Sequence, residues 1–252
     1  MPTKELSYLL RRVLLGAVEA TLPSLYEHAK AENWDYEQFL AAALETAATT
    51  RAERAVERRI REAGFPSTTK TLDSYDFATQ PGLKKAVILQ LATMDFVRQR
   101  GAAIFLGPAG TGKTHLSIAL GLKACQAGFT VRFTTAADVI ATLTQAHRLH
   151  RLDAALRVYT KPALLICDER GYIPFDADGA ALFFQLISRR YEKASMIVSS
   201  NLPFSSWGDT FGNATAASAI IDRLVHHAEV VVLKGQSYRL RGKEQVLGRD
   251  RV

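Results

Sequence analysis

The residues with the clearest chemical purpose are Gly107-Pro108-Ala109-Gly110-Thr111-Gly112-Lys113-Thr114. The pattern GxxxxGKT, between the apolar run Ala102 to Leu106 and a helical pattern opening near Lys113, reads as a phosphate-binding loop. Its glycines let the backbone curl so that N–H groups converge on phosphate oxygens. Lys113 can reach the β- and γ-phosphates, and the Thr114 hydroxyl is suited to Mg²⁺. His115 follows directly and is grouped with the nucleotide-binding residues. A second constellation is the apolar run Ala163 to Cys167 ending in Asp168 and Glu169. As a buried strand it would deliver both carboxylates to the sheet edge that holds the phosphates. Asp168 would orient Mg²⁺ with Thr114, and Glu169 would polarise the water that attacks the γ-phosphate. The run Met196 to Ser200 ends at Asn201, whose amide would stand beside the same phosphate and water. Arg189, Arg190 and Arg223 are cations that could be presented to the nucleotide of a neighbouring subunit. The expected chemistry is binding and hydrolysis of ATP with Mg²⁺.

Five short runs must position these groups: Ala102 to Leu106, Phe129 to Thr135, Ala163 to Cys167, Ser195 to Ser199 and Glu229 to Leu233. They are rich in Val, Ile, Leu and Phe, and helix-length stretches separate the first four. This predicts an α/β fold with a five-stranded parallel sheet covered by helices on both faces. In such sheets ligands bind beyond the carboxyl ends of the strands, where the phosphate loop lies. Ahead of the sheet, Leu6, Leu9, Leu10, Val13, Leu14 and Ala17 share one face of a predicted helix, with a break at Leu22-Pro23. Asp35 and Gln38 resemble a capping box opening a longer helix, which Gly64 and Pro66 stop. Arg51, Arg54, Arg58, Arg59 and Arg61 crowd its polar side, either as a solvated face or as a surface for phosphates or a partner. Residues 67–80 read as a linker carrying Tyr75 and Phe77, and one helix is expected over Val87 to Val97. The expected organisation is a small helical domain over 1–66, for oligomerisation, partner or DNA binding, and an ATPase domain over 67–252.

The 252 residues are 48% hydrophobic, enough for a full core, and carry a net charge of +7 with a pI near 9.5. That balance favours an anionic partner, nucleic acid ahead of membrane. No apolar run approaches the length of a membrane span, and charged residues interrupt the N-terminal leucines, so a soluble, intracellular, cytoplasmic protein is expected. Cys125 and Cys167 read as small buried hydrophobes, and the six histidines have no metal-ligand spacing.

The segments GPAGTGKTHL, LLICDERGYIPFD, FQLISRRYE, IVSSNLPFSSWGDTFG, AIIDRLVHH and SYRL, with WDYEQFL, REAGFPS and KTLDSYDF nearer the N-terminus, resemble the IstB-like ATPases, transposition helpers of bacterial insertion sequences. The resemblance spans nearly the whole chain and implies a P-loop NTPase of AAA+ type, close to DnaC-type helicase loaders. It implies that Gly107 to Thr114 form the phosphate loop, that Asp168 and Glu169 are the magnesium and hydrolysis carboxylates, and that Asn201 is the sensor asparagine. It further implies Arg223 as an arginine finger in trans, Arg190 as a second interface candidate and Arg239 as a nucleotide sensor in cis. The implied partners are sequence-nonspecific double-stranded DNA, further copies of the chain as a homo-oligomer, and a transposase that it recruits and stimulates after deforming the DNA. A replicative helicase loader and a nucleotide-gated scaffold with little turnover are the alternatives. The chain departs from the family pattern at Arg170, where a hydrophobic residue is common. A guanidinium there would either pair with Glu169 and slow hydrolysis or face solvent.

Overall fold

The computed structural model describes residues 3–168, 177–212, 214–235 and 237–238. The chain divides into two compact units, Met1–Arg58 and Arg59–Val252.

The first unit is helical: α1 (Lys4–Arg12), α2 (Gly16–Ala31) and α3 (Tyr36–Ala63), whose last turns lie in the second unit. The single helix expected over Leu6 to Ala17 is in fact two. Leu14 takes a left-handed φ of 60° that ends one helix before the next begins. Pro23, expected as a break, lies inside α2. The capping box at the start of α3 is formed: Asp35 N donates to Gln38 Oε1 at 3.0 Å, and Gln38 N to Asp35 Oδ1 at 2.8 Å. Val18, Leu22 and Leu25 of α2 bury against Ala43 and Ala47 of α3, and Tyr26 stacks on Phe39 at 5.5 Å.

In the second unit, α4 (Lys85–Leu91) and α5 (Asp95–Arg98) replace the one helix expected there, because Met94 adopts φ 64° between them. The remaining elements follow as β1 (Ala102–Leu106), α6 (Lys113–Gln126), β2 (Val131–Thr135), α7 (Ala136–Arg148), α8 (Leu152–Thr160), β3 (Leu164–Asp168), α9 (Ala177–Arg190), β4 (Ser195–Ser200), α10 (Trp207–Thr210), α11 (Ala214–Val225) and β5 (Ala228–Val232). All five strands are parallel in the order β2-β3-β4-β1-β5. Side chains alternate across the sheet with a period of two. Ala103, Phe105, Leu164, Ile166 and Ile197 face one core, shared with α4 and α6. Ile104, Leu106, Leu165, Cys167 and Val198 face the other, shared with α7, α8, α9 and α11. Both surfaces are therefore dry, as the continuous apolar strands require.

Candidate nucleotide-binding site

The loop joining β1 to α6 bends through three left-handed glycines, Gly107 (φ 147°), Gly110 (φ 83°) and Gly112 (φ 97°). Each has a neighbour where a side chain would stand. A Cβ on Gly107 would run into Leu233 O, one on Gly110 into Ser237 Oγ, and one on Gly112 would lie 2.7 Å from Tyr75 Cε2. Glycine at these points answers both the dihedral and the close approach. Thr111 Oγ1 donates to Pro108 O at 2.8 Å, and Tyr238 N donates to Gly110 O at 3.0 Å, fixing the curl.

Lys113, at the first position of α6, is 6% exposed, and its ammonium donates to Gly107 O, to Pro108 O at 2.8 Å and to Asn201 Oδ1 at 2.7 Å. One residue on, Thr114 Oγ1 lies 3.0 and 2.9 Å from the two oxygens of Asp168, which is 1% exposed at the end of β3. Ser199, paired with Asp168 across β3 and β4, donates its hydroxyl to Asp168 Oδ1. Sequence reasoning missed Ser199. The signal was there, since it lies near the carboxyl end of the run that leads into Asn201.

Residues 69–80 cover the other side of the loop. Tyr75, 8% exposed, donates from its hydroxyl to Thr111 O at 3.3 Å and packs edge-on against Phe77 and His115, with ring centroids at 4.8 and 5.2 Å. Burial, with the Asp76 charge second, pushes the Tyr75 phenol up to about 12, so it remains a donor at neutral pH. His115 donates from Nε2 to Thr71 O at 2.8 Å, which ties α6 to this segment. A cavity of about 800 Å³ opens here, bounded by Lys70, Ser74, Tyr75, Asp76 and Thr79, by Ala109 to His115, and by Asn201 and Tyr238. Apart from the loop, Asn201 and His115, none of these was expected at the site. Lys70, Ser74, Tyr75, Asp76 and Thr79 belong to a segment that reads only as a linker, and Tyr238 lies next to the expected Arg239.

A nucleoside triphosphate fits this arrangement. The cavity is of ligand size. The first N–H groups of α6, which have no intrahelical acceptor, and the Lys113 ammonium together form an anion site. The Thr114 hydroxyl and the Asp168 carboxylate are hard oxygen donors of the kind that hold Mg²⁺.

The three arginines expected to face a neighbouring nucleotide lie away from the loop. Arg190 is 1% exposed, and its guanidinium donates to Tyr159 O at 2.6 Å, Pro162 O at 3.0 Å, Ala163 O at 3.4 Å and Ser195 O at 2.5 Å. Expected at a subunit interface, it is instead committed to backbone inside its own chain. Its neighbour Arg189 is exposed and pairs with Asp153 at 2.7 Å. Arg223 is half-buried over the Phe184 ring at 4.5 Å. It lines a small cavity with Gly101, Ala102 and Met196, at the amino ends of β1 and β4. That is the sheet edge away from the phosphate loop, so Arg223 does not reach the loop of its own chain. Glu169, Arg170 and Arg239 lie outside the described residues.

The sequence profile described as IstB-like ATP binding protein matches residues 9–246. The chain belongs to this family. It is 43% identical over 241 residues to the insertion sequence IS21 ATP-binding protein of Pseudomonas aeruginosa, covering 96% of this chain and 91% of that protein. It is 40% identical over 232 residues to the IS5376 ATP-binding protein of Geobacillus stearothermophilus, covering 92% of each. Among solved structures the fold is similar to the DnaC helicase loader (TM-score 0.53, 20% identity, covering 66% of this chain and 97% of that one). It is also similar to AMPPCP-bound DnaA from Aquifex aeolicus (TM-score 0.55, 18% identity, covering 73% and 56%). The fold is thus that of a P-loop AAA+ protein with an added helical N-terminal region, and among the described residues no helix is long and apolar enough to cross a membrane.

Proposed function

We propose that this insertion-sequence ATP-binding protein is an ATPase that assembles on double-stranded DNA in an ATP-dependent way, deforms it and recruits the transposase of its element. The observation that carries the reading is the convergence of Lys113, Thr114, Asp168 and Asn201 at the carboxyl ends of β1, β3 and β4. Lys113 exchanges its loop carbonyls for phosphate oxygens, and the Asn201 amide, whose oxygen accepts from that ammonium, orients the attacking water. Thr114 and Asp168 hold Mg²⁺, with Ser199 fixing the carboxylate, and the ion supplies charge neutralisation on the phosphates. Glu169 is the base that polarises water. Arg223, at the opposite sheet edge from its own loop, serves the nucleotide of a neighbouring copy in a homo-oligomer, and Arg239 senses nucleotide in cis. A cytoplasmic location suits these partners.

DNA binding rests on the arginines of α3. Arg51, Arg54, Arg58 and Arg61 are exposed, and none of them, nor Arg59, forms an ion pair within 4 Å among the described residues. Five such contacts would follow the phosphate backbone without reading bases, and would give a slope of about −4.5 per protomer in log affinity against log salt. The test is duplex binding at low salt with ATP, with ADP and with Lys113→Ala. The expected result is cooperative binding with ATP alone, lost in the variant and nearly independent of DNA sequence. Binding that ignores nucleotide, or survives Lys113→Ala unchanged, overturns the proposal.

A further inference from the structure

At the amino-terminal edge of the sheet, away from the phosphate loop, two turns bring Glu192, His226 and His227 together. One donor atom from each lies within 4.8 Å of the other two. We propose that these three side chains form a binding site for a borderline divalent transition-metal ion of the Zn²⁺ class, with one coordination position left open.

Three observations carry this. The first is spacing. Ligand atoms around a tetrahedral ion with bonds near 2.0–2.1 Å stand about 3.3 Å apart. His227 Nε2 and Glu192 Oε1 are already at 3.8 Å, and both side chains are more than half exposed and free to close the rest by small rotations. The second is outer-shell support. The Tyr191 hydroxyl lies 2.9 Å from His226 Nδ1. With Nδ1 carrying the proton and donating to the phenol oxygen, Nε2 is left as the metal donor, the arrangement that orients histidine ligands elsewhere. The third is a rigid platform. Ala102 N donates to His227 O at 2.8 Å, Arg100 Nη1 to Glu192 O at 3.2 Å, and Lys193 N to Arg190 O at 2.9 Å. Glu192 itself sits at φ 57°, a conformation that glycine would adopt at lower cost, so a carboxylate is kept there against the local backbone preference.

Two imidazoles and one carboxylate select a borderline cation over Mg²⁺ or Ca²⁺, which prefer all-oxygen sites. Arg100 and Arg223 line the adjoining cavity, and their charges weaken the hold on a dication. The full-length protein is titrated with Co²⁺ under excess Mg²⁺, which occupies the oxygen site at the phosphate loop. The expected result is one Co²⁺ per chain with the intense visible bands of a low-coordinate nitrogen-containing site. These are lost in the His226→Ala and His227→Ala variants and weakened about tenfold in affinity by Tyr191→Phe. All these side chains are exposed or half-exposed, so the variants keep their fold, checked by circular dichroism. Only the weak bands of six-coordinate oxygen ligation, or strong bands that persist in both histidine variants, overturn the proposal.

Discussion

Replacing Arg190 with methionine separates two roles for the same residue, a structural clamp or a finger for a neighbouring nucleotide. Its guanidinium makes three donated bonds of 3.0 Å or less to Tyr159, Pro162 and Ser195, plus a longer one to Ala163. Charged hydrogen bonds contribute about 1.5–3 kcal/mol each, so the three short ones are worth roughly 5–9 kcal/mol. Against this stands burial, which pulls the guanidinium down to about 10 and corresponds to about 3 kcal/mol of lost solvation. Methionine recovers the second amount and forfeits the first, taking the guanidinium donors from Tyr159 O, Pro162 O and Ser195 O, while Ala163 O keeps Ser195 N at 3.0 Å. The net expectation is a loss of about 2–6 kcal/mol, a large share of the stability of an ordinary domain. Urea unfolding is followed by the fluorescence of Trp207, buried in the second unit, in a Trp34→Phe background that silences the first. An unchanged midpoint combined with lost ATP turnover would refute the clamp and restore the finger.

Tyr75→Ala removes the ring that backs Gly112 and is expected to cost about 3–5 kcal/mol and to weaken nucleotide binding, whereas Tyr75→Phe loses only one hydrogen bond, about 1 kcal/mol. Calorimetric titration with a nonhydrolysable ATP analogue measures both, and equal effects of the two changes would contradict the packing role. Burial pushes the Cys125 thiol up to about 11 and that of Cys167 up to about 12. Far less than one per cent of either is thiolate at pH 8, so a thiol reagent should label neither in native protein and both in denaturant. Rapid native labelling would mean that the sheet opens.

The form of the loop between β1 and α6 was legible because its residue types and spacing lie in one short stretch, and the nearness of Asp168 and Asn201 follows from strands that end beside it. Arg190 was not legible. Arg189-Arg190 reads as two cations at a helix end, and only the turn from α9 into β4 decides that one faces Asp153 in solvent while the other turns inward to backbone carbonyls. The apolar spacing from Val87 to Val97 gives no hint of the left-handed Met94 that divides it, because the same face is buried on both sides of the break. Leu14 conceals a second break in the same way. The packing division between Arg58 and Arg59 falls inside a helix, where no residue type marks it. Glu192, His226 and His227 come from turns far apart in sequence, so their meeting depends on the sheet that anchors both turns.

The phosphate loop is enclosed from two directions. Tyr75 lies behind Gly112, Leu233 and Ser237 lie behind Gly107 and Gly110, and Gly235 N donates to Gln80 Oε1 at 3.0 Å, joining the two flanking segments. Segments from before β1 and after β5 thus form a clasp around the loop between β1 and α6. A pull on either strap therefore bears directly on the left-handed glycines between them, so the shape of the loop and the posture of the two flanking segments are tied together.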